Sequence, residues 1–172
     1  FFTVLFSNEP LSIGFWNAEN LFDLIDDPNK NDDEFALGGR KNVDQKIYDL
    51  KIKNCSEVVS DLNVDILGLC EVENMKVLND LNIAYPKRNY NIIHYDSPDN
   101  RGIDNALLYD KSRFSIISSK AILNSLDNSG KTRDILYVLG EFQNTSLHIF
   151  INHWPSNYGG EGQWLINMCS DV

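Results

Sequence analysis

Three short apolar runs in this chain each end in side chains that bind metal ions or phosphate. Ile66-Leu-Gly-Leu-Cys70 runs into Glu71, Ser12-Ile-Gly-Phe-Trp16 into Asn17-Ala-Glu19-Asn20, and Leu147-His-Ile-Phe-Ile151 into Asn152-His153-Trp154-Pro155. The first run, with polar residues on both sides, has the pattern of a strand buried on both faces. A carboxylate placed where such a strand ends is costly to bury unless a cation or hydrogen-bond donors meet it. Open α/β sheets collect ligands beyond the carboxyl ends of their strands. Glu71 is therefore read as the holder of a divalent metal. A solvated strand-end acid is the bland alternative, and recurrence at three strand ends favours the metal.

Those three tips have to be carried by a framework, and the sequence outlines one. Between the first two runs, Asp26 to Glu34 is dense in Asp, Asn and Pro, which is turn chemistry. It lacks the Gly and Glu of a calcium-binding loop at the sixth and twelfth positions, so it reads as a solvated surface loop closed by Gly38-Gly39. Apolar residues at Val43, Ile47, Leu50, Val58, Val59 and Leu62 follow a helical spacing, and Asp44 is placed to cap the helix. Helix and flanking runs make a strand–helix–strand unit with a parallel crossover. Met75 to Ile83 reads as a second helix, with Glu73 as an acid favoured near its N-terminus. Short strands follow at Tyr90–Tyr95, Ile103–Tyr109, Phe114–Ile117, Lys120–Leu123, Asp134–Phe142 and Leu147–Ile151. Turns at 97–102, 128–130 and 144–145 separate them, so these strands are expected to pair antiparallel. His94 and His148 read as residues of sheet surfaces.

At 172 residues, 42% hydrophobic and 11% aromatic, the chain suits one globular domain. Its 25 acidic against 15 basic residues, net −10, argue against a sequence-independent grip on nucleic-acid backbone through Lys and Arg clusters. They do not exclude an enzyme that meets a phosphodiester through a metal ion, which reverses the local field. Cys55, Cys70 and Cys169 have no zinc-ligand spacing, and an odd count precludes a complete disulfide framework. No stretch reaches the ~18 apolar residues that span a bilayer. The apolar start, Phe1 to Ser7, reads equally as an edge strand or as the remnant of a secretory signal, which would make the protein secreted or extracytoplasmic.

Phe15-Trp-Asn-Ala-Glu-Asn-Leu-Phe-Asp23, Ile66-Leu-Gly-Leu-Cys-Glu-Val-Glu-Asn74, Arg101-Gly-Ile-Asp-Asn-Ala-Leu-Leu-Tyr109, Thr132-Arg-Asp-Ile-Leu136 and Ile151-Asn-His-Trp-Pro-Ser156 together resemble the endonuclease/exonuclease/phosphatase family, above all its bacterial extracellular-nuclease-like members. The resemblance runs in order from about residue 12 to 160. It implies an α/β (α+β) four-layer sandwich, two mixed β-sheets face to face with helices outside, and Mg²⁺-dependent hydrolysis of phosphate esters, with Mn²⁺ as the alternative ion. It implies that Glu71 ligates the metal directly and Glu19 through water. Asn17 would position the phosphate or the metal's waters, His153 would donate to the phosphate, and Asp104 would orient that imidazole. Arg101, Arg133 and Asn152 would contact the substrate. These roles suit Mg²⁺, which takes oxygen ligands and keeps several waters, and phosphate, which arginine forks grip well.

The family also carries a downstream Gly-Asp-Phe-Asn type motif and a Ser-Asp-His type motif, and neither occurs in residues 161–172, a divergent tail. The expectation is a single, C-terminally truncated domain over 1–172, inactive or nearly so by itself for want of a base near the metal. The leading functional expectation is a phosphodiesterase acting as a nuclease on DNA or RNA. A phosphatase or lipid phosphodiesterase of the same fold, acting on inositol phosphate or sphingomyelin, is the second. A non-catalytic half-domain that binds a partner is the third.

Overall fold

The structure, a computed structural model, describes residues 9–124 and 132–154. Strand β1 (Ile13–Leu21) leads through a long loop to helix α1 (Gln45–Leu62), strand β2 (Ile66–Val72), helix α2 (Met75–Ala84), and strands β3 (Asn91–His94), β4 (Asp104–Tyr109), β5 (Ser115–Ile122), β6 (Ile135–Phe142) and β7 (Thr145–Ile151). The two runs expected at 114–117 and 120–123 are one strand, β5, with an irregularity between Ile116 and Ser118. The turn expected at 128–130, the apolar start and Cys169 lie outside the described residues.

Two sheets form. One is mixed, in the order β1-β2-β4-β3, with β1 parallel to β2 and the other pairs antiparallel. The other, β5-β6-β7, is antiparallel throughout rather than mixed. The β6–β7 hairpin turns at Gln143 and Asn144, both at positive φ (49° and 64°), the backbone that a tight hairpin requires.

Strand alternation divides the core in two. Leu67, Leu69, Ala106 and Leu108 point outward to a cluster with Tyr48, Ile52, Val59, Leu78 and Leu81 of the helices. Ile66 and Leu107 point inward to Phe114, Leu136, Val138 and Ile151, closing the space between the sheets. Gly68 lies on the inner face, and a Cβ there would stand 3.2 Å from the Phe15 ring and 3.4 Å from Ile151. That glycine lets the second sheet approach closely. Helix α1 is capped by Asp44, which accepts from Ile47 N, and α2 by Asn74, which accepts from Lys76 N and Val77 N. At the far end of the mixed sheet, Asp65 accepts from Ser12 N, Ser12 Oγ and Arg88 Nη1 at 2.9, 2.9 and 2.6 Å, tying the starts of β1 and β2 together. Cys55 and Cys70 are buried free thiols. Among the described residues, no helix is long and apolar enough to cross a membrane.

The acidic loop after β1 departs from its sequence reading. Asp23 and Asp32 are buried, with 6% and 2% exposure. Lys30 Nζ donates to the carbonyls of Ser97 and Asp99 at 2.8 and 2.9 Å, folding the loop back onto the turn before β4. Local composition signals solvent, and long-range bonds override it.

Candidate active site

Glu71 owes its position to a bulge. Strict alternation after inward Cys70 would send residue 71 outward, toward the helices. Instead the register shifts between Cys70 and Val72 against β4, and between Asn17 and Leu21 against β1, and Glu71 takes φ 58°. The inserted residue swings its carboxylate to the inner side. There Asn17 Nδ2 donates to Glu71 Oε1 at 3.1 Å, and Asn20 N donates to Oε2 at 3.0 Å. Asn17 is itself fixed, because its Oδ1 accepts from Glu19 N at 2.8 Å.

His153, just past the end of β7, completes the group: its Nε2 lies 3.3 Å from Glu71 Oε1, and both side chains are mostly buried. Burial holds its imidazole below the usual histidine range, helped by the Arg133 guanidinium and opposed by the Glu71 carboxylate. A neutral ring follows, with Nε2 on the side facing Glu71. The three strand tips singled out by the sequence thus meet through Glu71, Asn17 and His153.

The remaining expected residues distribute differently. Asp104 does not orient His153. Its strand neighbours Ala106 and Leu108 face the helices, and Asp104 shares that outer face. There His94 Nε2 sits 3.0 Å from its Oδ2, and Ser97 N donates to Oδ1 at 2.9 Å. His94 is therefore a bonded partner rather than an idle surface residue. Candidate ligand atoms of His94, Asp96 and Asp104 lie within 4.8 Å of one another, on the face away from His153. Arg133 is buried rather than offered to substrate. Its Nη1 donates to Asp99 Oδ2 at 3.2 Å and its Nη2 to the Trp154 carbonyl at 3.1 Å, which anchors the backbone beside His153. Arg101 is half exposed, with Nε 3.7 Å from the same Asp99 carboxylate. Glu19 is tied in through its backbone, its N–H bonding Asn17 and its carbonyl accepting Lys51 Nζ at 3.0 Å. The amide of Asn152 turns back to the Phe150 carbonyl at 3.4 Å.

Two contributors escaped the sequence reading, Asp99 and Asn105, and Glu73 departs from its reading. Asp99 links the two arginines. Asn105 is buried on the inner face of β4, opposite Cys70, and its Nδ2 donates to the carbonyls of Asp134 and Ile151 at 2.7 and 3.3 Å. It fastens the sheet carrying Glu71 to the strand that leads into His153. Alternation from Leu107 contained the signal for Asn105. Glu73 precedes the cap of α2, where it was read as a favoured acid. Burial instead raises its carboxyl to about 8, helped by the carboxylates of Asp23 and Asp32, while its bond from Asp23 N (2.6 Å to Oε2) pulls the other way.

Among the described residues, several buried polar atoms are unpaired: Asn105 Oδ1, Thr132 Oγ1, Arg133 Nε, Asp134 Oδ1 and His153 Nδ1 have no hydrogen-bond partner there. Each such group costs about 1–3 kcal/mol and calls for an explanation. The donor set also suits a hard cation. The Glu71 carboxylate retains lone pairs beyond the bonds it accepts, and one carboxylate plus waters is a common Mg²⁺ environment.

The sequence model described as Endonuclease/Exonuclease/phosphatase family matches residues 12–165. No curated protein matches the chain. Among solved structures, D. rerio TDP2 humanized by 14 mutations is similar at a TM-score of 0.59 and 17% identity, covering 94% of this chain and 54% of that one. D. rerio TDP2 complexed with single strand DNA product gives 0.56 and 17%, covering 94% and 52%. A functionally unknown conserved protein from Enterococcus faecalis V583 gives 0.51 and 16%, covering 72% and 53%. The chain spans about half the length of these structures. At such identities the likeness is one of fold.

Proposed function

The chain belongs to the endonuclease/exonuclease/phosphatase family, and on that premise we propose that it is a Mg²⁺-dependent phosphodiesterase, acting as a nuclease on DNA or RNA. The observation that carries the reading is the meeting of Glu71, Asn17 and His153 amid unpaired buried polar atoms. A phosphate ester with its metal and waters brings the donors and acceptors that such atoms lack. The DNA product held by the similar D. rerio TDP2 supports a nucleic-acid substrate.

Glu71 would hold the ion, with Mn²⁺ able to replace Mg²⁺. The ion supplies neutralisation of the phosphate's negative charge. Asn17 and the Asn20 N–H hold the carboxylate in one orientation, so little reorganisation is needed when substrate arrives. His153, held toward its neutral form, would offer a ring N–H to a phosphate oxygen. Arg101, half exposed, is the guanidinium available for a charge-assisted contact, and Arg133 keeps His153 in place through the Trp154 carbonyl. Asp104 and Asn152 have no part in this arrangement, and Glu19 acts through its backbone.

The test combines melting of this chain under Mg²⁺ or Mn²⁺ titration with cleavage of a fluorescent oligonucleotide by the full-length protein, since residues 1–172 are expected to be inactive or nearly so by themselves. The wild-type melting temperature should rise with metal, and Glu71→Gln should abolish both the rise and metal-dependent cleavage. Cleavage unaffected by that substitution or by EDTA would refute the proposal. Release of inorganic phosphate from an inositol phosphate, with no oligonucleotide cleavage, would move the reading to a phosphatase.

A further inference from the structure

A second concavity adjoins the Glu71 site. We propose that it seats one unpaired nucleobase of a single-stranded substrate, stacked on Phe35, with Lys41 and Lys51 meeting the flanking phosphates. The inference rests on the phosphodiester reading of the Glu71 site and adds to it a preference for single strands.

The cleft holds about 250 Å³, below the range of drug-sized ligand pockets and suited to a single planar ring system. Its floor is aromatic. The rings of Phe22 and Phe35 stack at 4.2 Å between centroids and 8° between planes. Phe22 is buried at 6% exposure, while Phe35 is only half-buried. An exposed lysine, Lys41, holds its Nζ 5.6 Å from the centroid of the Phe35 ring. Val43, Ile47 and Tyr48 complete an apolar lining of the kind a base contacts. Here one flexible cation stands where a base would slide in, and on displacement its ammonium is free to follow a phosphate.

Position ties the cleft to the chemistry. Glu19 and Asn20 line it, and Asn20 N donates to Glu71 Oε2, so a single residue separates the cleft from the metal-holding carboxylate. The cleft opens on the helix side of the sheet and Glu71 faces the inner side, so a strand reaching both would pass over Asn20 at the tip of β1. Lys51, also lining the cleft, is held toward it by its bond to the Glu19 carbonyl. Lys41 and Lys51 outnumber Glu19, the one acid in the lining, on a chain of net charge −10, which is the complementarity a phosphate-bearing ligand needs. Base stacking is sequence-tolerant and requires an unpaired base.

The experiment is a fluorescence titration of the protein into a short single-stranded DNA carrying one 2-aminopurine, with EDTA present to prevent cleavage. Stacking quenches the probe. Wild-type protein should quench the single strand and leave the same probe in a duplex unchanged. Phe35→Ala should weaken binding about tenfold and lose the quench, and Phe35→Tyr should restore both. Because Phe35→Ala also removes packing against Phe22, Lys41→Ala provides a second variant that leaves the floor intact. It should lower affinity and reduce the salt dependence by about one ion. Wild-type binding without quench, or quench unchanged in Phe35→Ala, overturns the subsite. Glu71→Gln tells the two proposals apart: retained quench with lost Mg²⁺-dependent cleavage supports both, whereas retained cleavage sinks the phosphodiesterase reading whatever the probe does.

Discussion

Replacing Glu73 with glutamine should make the protein more stable at pH 8 and leave it nearly unchanged at pH 5. Burial raises the Glu73 carboxyl from 4.5 to about 8, with the neighbouring carboxylates of Asp23 and Asp32 adding to the rise against the bond from Asp23 N. The Asp32 carboxyl contacts that of Glu73, and its Oδ1 has no partner among the described residues. Between the two values the folded protein binds a proton that the unfolded chain has released. Stability therefore falls as pH rises across that window, the sign opposite to that of a salt-bridged acid. A rise of about 3.5 pH units corresponds to about 5 kcal/mol as an upper bound, at about 1.4 kcal/mol per unit. Solvent access and local relaxation should reduce this to about 2–3 kcal/mol. Glutamine imitates the protonated acid, its amide donating to Asp32 while its carbonyl accepts from Asp23 N. Urea unfolding of wild type and Glu73→Gln at pH 5, 6, 7 and 8, in EDTA, measures the effect. Parallel pH profiles for the two proteins would refute the reasoning.

Two further substitutions probe the supports. Asp65 shows the opposite sign: burial raises its carboxyl, but bonds from Ser12 and Arg88 and the charge of Arg113 outweigh it and bring it to about 2. Asp65→Asn should therefore cost about 2 kcal/mol at pH 7, a difference that shrinks as pH falls from 4 toward 2 in acid-unfolding curves. Arg133→Met should lower stability by about 2–3 kcal/mol, because buried Asp99 would keep only the half-exposed Arg101, at 3.7 Å, as a cation. Loss of less than about 1 kcal/mol in a thermal melt would return Arg133 to a substrate role.

The sequence signals that proved most legible were local ones. Apolar runs marked β2 and β4, and Asp44 marked the start of α1. What stayed hidden depended on which face of a strand met the second sheet. Asp104 and Asn105 are adjacent polar residues at the head of β4, and nothing local ranks one above the other. Once Leu107 is known to point between the sheets, alternation assigns Asn105 to the site and Asp104 to the helix side. The burial of Asp32 was hidden for a related reason, since it depends on a loop held from 67 and 69 residues away by Lys30.

Glu71 shows why a site can be found by its residue types and still be misplaced by periodicity. Alternation alone would aim its carboxylate at the helices, and only an inserted residue at φ 58° turns it inward. Glu19 and Asn20 on the neighbouring strand also lie at positive φ, 55° and 59°. Such backbone costs about 1–3 kcal/mol per residue and persists only when surrounding bonds over-determine it. The bond from Asn20 N to Glu71 Oε2 joins the two irregular segments, so the carboxylate that the bulge presents also helps hold the opposing strand in its irregular shape. On the proposed reading, metal binding and local geometry would therefore be coupled through one side chain. An isosteric amide at 71, which keeps an acceptor for Asn20, should separate the loss of metal from the loss of shape, whereas alanine should lose both.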